Sequence, residues 1–216
     1  MARAGIDVLV IEKGIVGWEA SGRNGGGCSH HFSPLFAEEQ RLWPEMDALL
    51  GYPTEFRRGR IKVAHTEGQL AGFSKACDNA ARAGFASEPL DHRQLQELVP
   101  IAGDAARGAF LWHWGGHANP QRTLQAYAWA LQDHGGRILQ HTTVTGIDIA
   151  GGRAIAVETT AGRFGCDQLV IAAGPHSGAL ARMVGADLPL TPARAEIVVT
   201  EAIPLLPHGG VDGNGL

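Results

Sequence analysis

Two glycine-containing stretches of this 216-residue chain could bring backbone close to a ligand, the first of them to an anion. The first is Ser21-Gly22-Arg23-Asn24-Gly25-Gly26. Glycines let backbone N–H groups reach phosphate oxygens. Arg23 adds a fork of charged donors suited to pyrophosphate, and Ser21 and Asn24 add neutral ones. A flexible surface loop is the alternative, but Arg and Asn set between glycines directly after an apolar run favour the anion reading. The second is Leu169-Val170-Ile171-Ala172-Ala173-Gly174, an apolar run ending in glycine. Ligands of open α/β sheets sit outside the carboxyl ends of the strands, where Gly174 would let one pass close to the backbone. An ordinary strand-to-helix turn, with Pro175 and Ser177 as cap chemistry, explains the same residues. Glu12 closes a second apolar run, Val8-Leu9-Val10-Ile11. In a mononucleotide-binding fold the second strand ends in an acid that accepts hydrogen bonds from a ribose hydroxyl pair. Taken alone, Glu12 reads first as a solvated acid at a strand end.

The elements that must position these residues follow from apolar period and turn chemistry. Residues 1–4 read as the last turn of a helix that Gly5 stops. Residues 8–11 and 168–174 are continuous apolar runs, expected as strands buried on both faces in a parallel sheet. Residues 36–50 are expected as one helix with Leu42, Met46, Leu49 and Leu50 on one face. Helices are also expected at 67–84, at 91–99 with Asp91 as N-cap, at 120–134 opened by Pro120, and from 176 or 177 to 184. Strands are expected at 56–66, 107–114, 137–141, 144–149, 154–160, 163–164 and 193–200. The cluster Arg57, Arg58, Arg60 and Lys62 on the first of these reads as a solvated strand face.

Composition narrows the function classes. Glycine makes up 30 of 216 residues, about twice the usual ~7% share, and it clusters without a collagen period. Lys plus Arg is 18 against 22 Asp plus Glu, a net charge of −4, which argues against a nucleic-acid binder. Cys28, Cys77 and Cys166 are odd in number and far apart, so neither a disulfide framework nor a structural zinc is expected, and a cytoplasmic location fits. Cys28 reads as a small packed side chain. His113 and His117 stand four apart, but Gly115-Gly116 between them opposes a helix, and no metal site is expected. Trp112 and Trp114 are expected to pack or to line a pocket. No apolar run approaches the ~18 residues of a membrane span, and the N-terminus lacks signal-peptide features.

Taken in order, Val8-Leu9-Val10-Ile11-Glu12-Lys13-Gly14, Ala20-Ser21-Gly22-Arg23-Asn24-Gly25-Gly26 and Leu169-Val170-Ile171-Ala172-Ala173-Gly174-Pro175-His176-Ser177 resemble the FAD-dependent amino-acid and amine oxidoreductases of the D-amino-acid oxidase superfamily. The likeness is greatest to sarcosine oxidase beta subunits and opine oxidases. Asn119-Pro120, Arg137-Ile138-Leu139 and Val144-Thr145-Gly146-Ile147 support it. It implies an α/β (α+β overall) fold, with a discontinuous, Rossmann-like FAD-binding domain at 1–50 and 118–190. A mixed-sheet substrate domain would be interleaved at 51–117 and 191–216.

The resemblance also implies site residues. Glu12 would hold the adenosine ribose, with Lys13 beside the adenine. Ser21, Gly22, Arg23, Asn24, Gly25 and Gly26 would wrap the pyrophosphate and approach the flavin ring. Val144 would meet the adenine through its backbone. Ala173 and Gly174 would line the flavin passage, with His176 nearby. His30 and His31 are the candidate catalytic residues, as contacts of the flavin or of the substrate amine; a surface or structural pair is the other reading. Asn119 stands where the family often has an acid and is given no role.

The implied reaction oxidises a CH–NH bond of an amino acid or secondary amine by hydride transfer to flavin N5, followed by hydrolysis of the imine. Partners would be the small-molecule substrate and other oxidase subunits. The family's first strand and G-x-G-x-x-G turn are not found before Glu12, and its later substrate-domain segments are not found after residue 200. The chain therefore reads as truncated at both ends, with FAD bound weakly or not at all. An inert fragment, or a part completed by a partner chain, is the second reading. An NAD-binding dehydrogenase is the third; it suits Glu12 but matches the 21–26 loop less well.

Overall fold

The computed structural model describes residues 1–28, 33–201 and 210–213. In chain order these form β1 (Leu9–Ile11), β2 (Gly27–Cys28), α1 (Pro34–Leu42), α2 (Met46–Leu50), β3 (Arg57–Ala64), α3 (Glu67–Arg82), β4 (Ser87–Leu90) and α4 (His92–Leu98). They continue with β5 (Gly108–His117), α5 (Pro120–Asp133), β6 (Arg137–Leu139), β7 (Val144–Ala150), β8 (Arg153–Thr159), β9 (Gly162–Gly165), α6 (Ser177–Arg182) and β10 (Val211–Gly213). The expected mixed α/β class is what forms. The chain divides into two units, Met1–Arg23 with Tyr127–Val198, and Asn24–Ala126 with Val199–Leu216.

In the first unit, the opening turn Ala2–Ala4 ends at Gly5, whose φ of 79° is the left-handed stop expected of it. β1 pairs in parallel with β6, Val10 opposite Ile138. No other described strand joins this pair. Val10 is 40% exposed, so the expectation of burial on both faces fails at β1: a strand face is buried only where another layer covers it, and the face that carries Val10 is partly open. β7, β8 and β9 form an antiparallel meander. The turn before β8 uses Gly151 and Gly152, both at positive φ.

Two expected strands do not form. Residues 167–173 run outside any strand, and Val170 is 67% exposed. Residues 193–200 likewise pair with nothing described, with Val198 and Val199 open to solvent. Apolar β-branched runs become strands only where a neighbouring edge takes up their backbone groups. Neither segment pairs with a strand among the described residues.

In the second unit the sheet runs β10-β3-β5-β2, with β4 also paired to β5. Side chains alternate across it. Ile61, Val63, Ala109 and Leu111 meet Leu95 and Val99 of the α4 segment on one face. Ala64, Trp112 and Trp114 meet Phe73 and Ala80 of α3 on the other. Trp112 and Trp114 stack with ring centroids 4.1 Å apart and are almost fully buried, so they pack as one of the two expected roles allows. Both helices start as the sequence dictates. Thr66 and Gln69 close a capping box on α3, and Asp91 and Gln94 close one on α4. The single helix expected over 36–50 is broken: Pro44 lacks an N–H and crowds the preceding turn, so Trp43–Glu45 tightens to 3-10 geometry between α1 and α2. Of its expected apolar face, Met46 is buried while Leu42 and Leu49 remain largely exposed.

The basic cluster on β3 is the largest departure. Arg57 and Arg58 are solvated as expected, but Arg60 and Lys62 are 4% and 3% exposed. The reason is β10, which pairs in parallel with β3 and sets Asp212 opposite Lys62. Asp212 lies 2.6 Å from Arg60 Nη2 and 2.7 Å from Lys62 Nζ. Arg60 also donates to the Gly116 carbonyl at 3.3 Å, and the Lys62 ammonium stands 4.8 Å over the Trp112 ring. Burial lowers the Lys62 pKa, against the raising effect of Asp212. Burial alone would raise the Asp212 carboxyl, but the hydrogen bonds and charges of Lys62 and Arg60 outweigh it and hold the group below the ordinary carboxylate range.

Candidate cofactor site

Glu12 follows directly on β1, at the carboxyl end of a parallel strand. Its backbone N–H donates to the Leu139 carbonyl at 2.8 Å, and its own carbonyl accepts from Thr142 N–H at 2.9 Å. These two bonds continue the β1–β6 pairing past the formal strand end. The carboxylate turns back to accept the Gly14 N–H through Oε1 at 2.7 Å. Gly14 in turn accepts from His141 N–H, so residues 12–14 and 139–142 are laced together. The acid is thus held at the strand end rather than free to wave in solvent.

Lys13 donates to His176 Nε2 at 3.0 Å and lies 3.8 Å from Glu19 Oε1. That bond brings together two candidate residues 163 positions apart in sequence. Ala173 and Gly174 lead into the 3-10 turn Gly174–His176, where His176 N–H donates to the Ala173 carbonyl. Gly174 has a φ of 52°, and a Cβ there would meet nothing within 4 Å, so glycine is required by conformation and leaves open space beside the backbone. Val144 begins β7 opposite Thr159, next to a reciprocal pair of bonds between residues 143 and 160.

In the glycine loop, Ser21 and Gly22 lie in turns within the first unit. The Arg23 guanidinium lies 4.7 Å over the Trp18 ring and has no carboxylate partner among the described residues. Asn24, Gly25 and Gly26 belong to the second unit. Asn24 Oδ1 accepts the Gly26 N–H at 2.8 Å, a local turn that fixes the loop's exit. The two glycines differ in kind. Gly26 has a φ of 73°, its carbonyl accepts the Ala118 N–H at 2.9 Å, and a Cβ there would strike the Ala118 carbonyl. The fold itself therefore requires Gly26. A Cβ on Gly25 would meet nothing within 4 Å. The candidate catalytic residues His30 and His31 lie outside the described residues.

The donor set suits FAD in chemistry. Within the first unit, a strand-end carboxylate can accept from ribose hydroxyls, an Arg fork without a carboxylate partner among the described residues can meet pyrophosphate, and Gly174 leaves backbone uncovered. Cys28, on β2, is buried, donates weakly to the Gly26 carbonyl at 3.5 Å, and has its thiol pushed up to about 12 by burial, then by the Glu39 charge. It is a packed side chain, not a thiolate. Among the described residues no cluster of His, Cys, Asp and Glu could hold a metal, and no helix is long and apolar enough to cross a membrane.

One positioning residue escaped the sequence. Asn119 caps α5: its Oδ1 accepts Arg122 N–H at 3.2 Å and its carbonyl accepts Thr123 N–H at 2.9 Å. Its amide also donates to Glu55 Oε2 at 2.9 Å. Asn before Pro at a helix start is the signal that was available.

The mixed α/β fold and this strand-end arrangement define a class, and a family model described as FAD dependent oxidoreductase (DAO) matches residues 1–214: the chain belongs to that family. Among similar proteins is the sarcosine oxidase subunit beta of Rhodobacter capsulatus, 29% identical over 208 residues, which cover 91% of this chain and 50% of the relative. The hydrogen cyanide synthase subunit HcnC of Pseudomonas aeruginosa is 34% identical over 187 residues, 82% of this chain and 44% of the relative. Among solved structures, glycine oxidase from Geobacillus kaustophilus superposes with a TM-score of 0.78 at 25% identity, over 87% of this chain and 54% of that one. The resemblance drawn from the 8–14, 20–26 and 169–177 motifs is thereby borne out. The chain spans about half the length of the curated relatives it matches.

Proposed function

We propose that the chain carries the adenosine-binding strand end, and part of the substrate-domain sheet, of a flavoenzyme that oxidises the CH–NH bond of an amino acid or secondary amine. The observation that carries this reading is the Lys13–His176 bond beside the braced Glu12 carboxylate. It gathers at one strand end the two sequence-distant segments that the family resemblance assigns to FAD. The names of the relatives, which include a sarcosine oxidase subunit, a glycine oxidase and amino-acid deaminases, support the amine and amino-acid substrate class.

In this reading Glu12 accepts from the ribose hydroxyls, and Gly14 N–H keeps its other lone pairs oriented. Lys13 and His176 hold the 173–176 turn against the strand end. Arg23 neutralises pyrophosphate charge, Ser21, Gly22 and Asn24 add donors, and Gly25 lets backbone come close. Val144 lies by the adenine. Ala173 and Gly174 line the passage, and His30 or His31 keeps the substrate amine neutral. When bound, FAD supplies the hydride-accepting chemistry. The 51–117 and 191–216 stretches would serve the substrate side, and other oxidase subunits would be partners of the full-length protein.

The test is a pair of fluorescence titrations, with FAD and with FMN, which lacks the adenosine half. FAD is expected to bind more tightly than FMN, and Glu12→Gln to weaken FAD at least about tenfold while leaving FMN unchanged. Equal affinity for FAD and FMN, or an unchanged FAD affinity in Glu12→Gln, would overturn the assignment.

A further inference from the structure

The second unit contains a cleft of about 300 Å³ that the candidate cofactor site does not use. It is lined by Gln40 and Arg41 of α1, Arg58 of β3, the 84–86 turn with Phe85, and His113 and Trp114 of β5. The charged and titratable side chains in that lining are basic ones, Arg41, Arg58 and His113, and no carboxylate lines it. Arg41 is held by Glu38 at 3.1 Å and stands 5.4 Å over the Phe85 ring. His113 is held by Glu88 at 3.3 Å. Both acids lie outside the lining. Arg58 makes no ion pair among the described residues.

Gln40 adds a second observation. It is 6% exposed, and its Oε1 accepts the Gly115 backbone N–H. That bond fixes which end of the amide is which and leaves Nε2 a buried donor without a partner among the described residues. Phe85 and Trp114 give the same cleft apolar walls. The lining therefore offers donors, positive charge and aromatic surface together, in a volume at the small end of ligand pockets.

We propose that this cleft binds a small organic carboxylate, with Arg58 and Arg41 on its oxygens and Phe85 and Trp114 against its apolar end. Planar guanidinium groups suit a carboxylate's two oxygens, and an aromatic wall suits a short hydrocarbon tail. The volume admits an acid of a few carbons.

The probe is butyrate, titrated into the whole chain in a low-chloride buffer, against the uncharged isostere butyramide. NMR follows the Arg Nε–H and Trp indole N–H signals. Butyrate is expected to shift the Arg58, Arg41 and Trp114 signals along one saturable curve in the millimolar range, and butyramide to bind at least about fivefold more weakly. Arg58→Gln, an exposed position that leaves the core intact, is expected to weaken butyrate about fivefold or more. Arg93→Gln, on α4 and outside the cleft, is expected to leave it unchanged. No saturation by about 100 mM, equal binding of butyramide, or equal butyrate binding by Arg58→Gln would overturn the proposal.

Discussion

Asp212→Asn tests whether the buried charges of the second unit are balanced by one residue of a three-residue strand. The Arg60 and Lys62 side chains are 5% and 4% exposed, and Asp212, at 21%, is the carboxylate both of them reach. Removing one partner of a buried ion pair costs about 3–5 kcal/mol, because the partner left behind stays buried and uncompensated. Asn keeps the shape and one acceptor, and Asp212 is partly solvated, so about 3 kcal/mol is the expected loss. For a chain of this size that is a fall in Tm of roughly 6–12 °C. Lys62→Met should behave differently. It removes the surplus cation, keeps an unbranched stem against Trp112 and Phe73, and leaves Arg60 with Asp212. Its expected effect is within about 1 kcal/mol of wild type, the lost cation–π contact included. The assay is thermal unfolding at pH 7, followed by the near-ultraviolet circular dichroism of the stacked Trp112–Trp114 pair, which reports on this unit. Equal losses in the two variants would refute the charge-balance argument, as would a loss below about 1 kcal/mol in Asp212→Asn.

The same triad fixes a pH signature. Asp212 is held below the ordinary carboxylate range in the folded chain. Its stabilisation is therefore fully present above the unfolded value of about 3.9 and is lost as pH falls through the lower folded value. The gap between wild type and Asp212→Asn should stay constant from about pH 5 to 8 and close only below about pH 4. Lys62, also lowered, acts in the alkaline range. Between its folded value and the unfolded value of about 10.4 the folded chain binds fewer protons, so its contribution to stability rises with pH there.

Two further outcomes are expected. At pH 9 a thiol with a pKa of about 12 is about one part in a thousand thiolate, so iodoacetamide should modify Cys28 at least about a hundredfold more slowly than an open thiol; peptide mass mapping that finds Cys28 alkylated at an ordinary rate would contradict its burial. Gly26→Ala should cost about 2 kcal/mol or more, from a left-handed backbone and a collision with the Ala118 carbonyl, whereas Gly25→Ala should change the melting temperature by less than about 2 °C and instead weaken FAD in a fluorescence titration.

What the sequence made legible was set by how local the cause is. Asp91 with Gln94 and Gly5 after its turn carry their signals within a few residues, and the helix start and the helix stop fall where those residues put them. So did β5: its alternation buries Ala109 and Leu111 on one side and Trp112 and Trp114 on the other. Pro44 was a local signal too, and reading 36–50 as one helix gave the apolar spacing more weight than the missing N–H deserved.

The other departures have non-local causes. Val8 to Ile11 and Leu169 to Ala173 look alike in sequence, yet the first forms a strand because β6 lies beside it, and the second forms none. Nothing within either run distinguishes them. Arg60 and Lys62 carry the composition of a solvated face, and their burial depends on Asp212, 150 residues beyond Lys62, in a three-residue strand that follows Gly210. The same logic bears on the candidate cofactor residues. Glu12 looked like an unconstrained strand-end acid, and its neighbours 139–142, far away in sequence, turn it into a braced one. A carboxylate whose backbone N–H and C=O are both bonded to the 139–142 segment and whose Oε1 accepts the Gly14 N–H has part of its rotamer freedom removed before any ligand arrives. That loss otherwise falls on binding, at about 0.5–1.5 kcal/mol per immobilised side chain. Bracing of this kind is what distinguishes a prepared acceptor from a solvated acid, and only the parallel pairing of β1 with β6 brings it about.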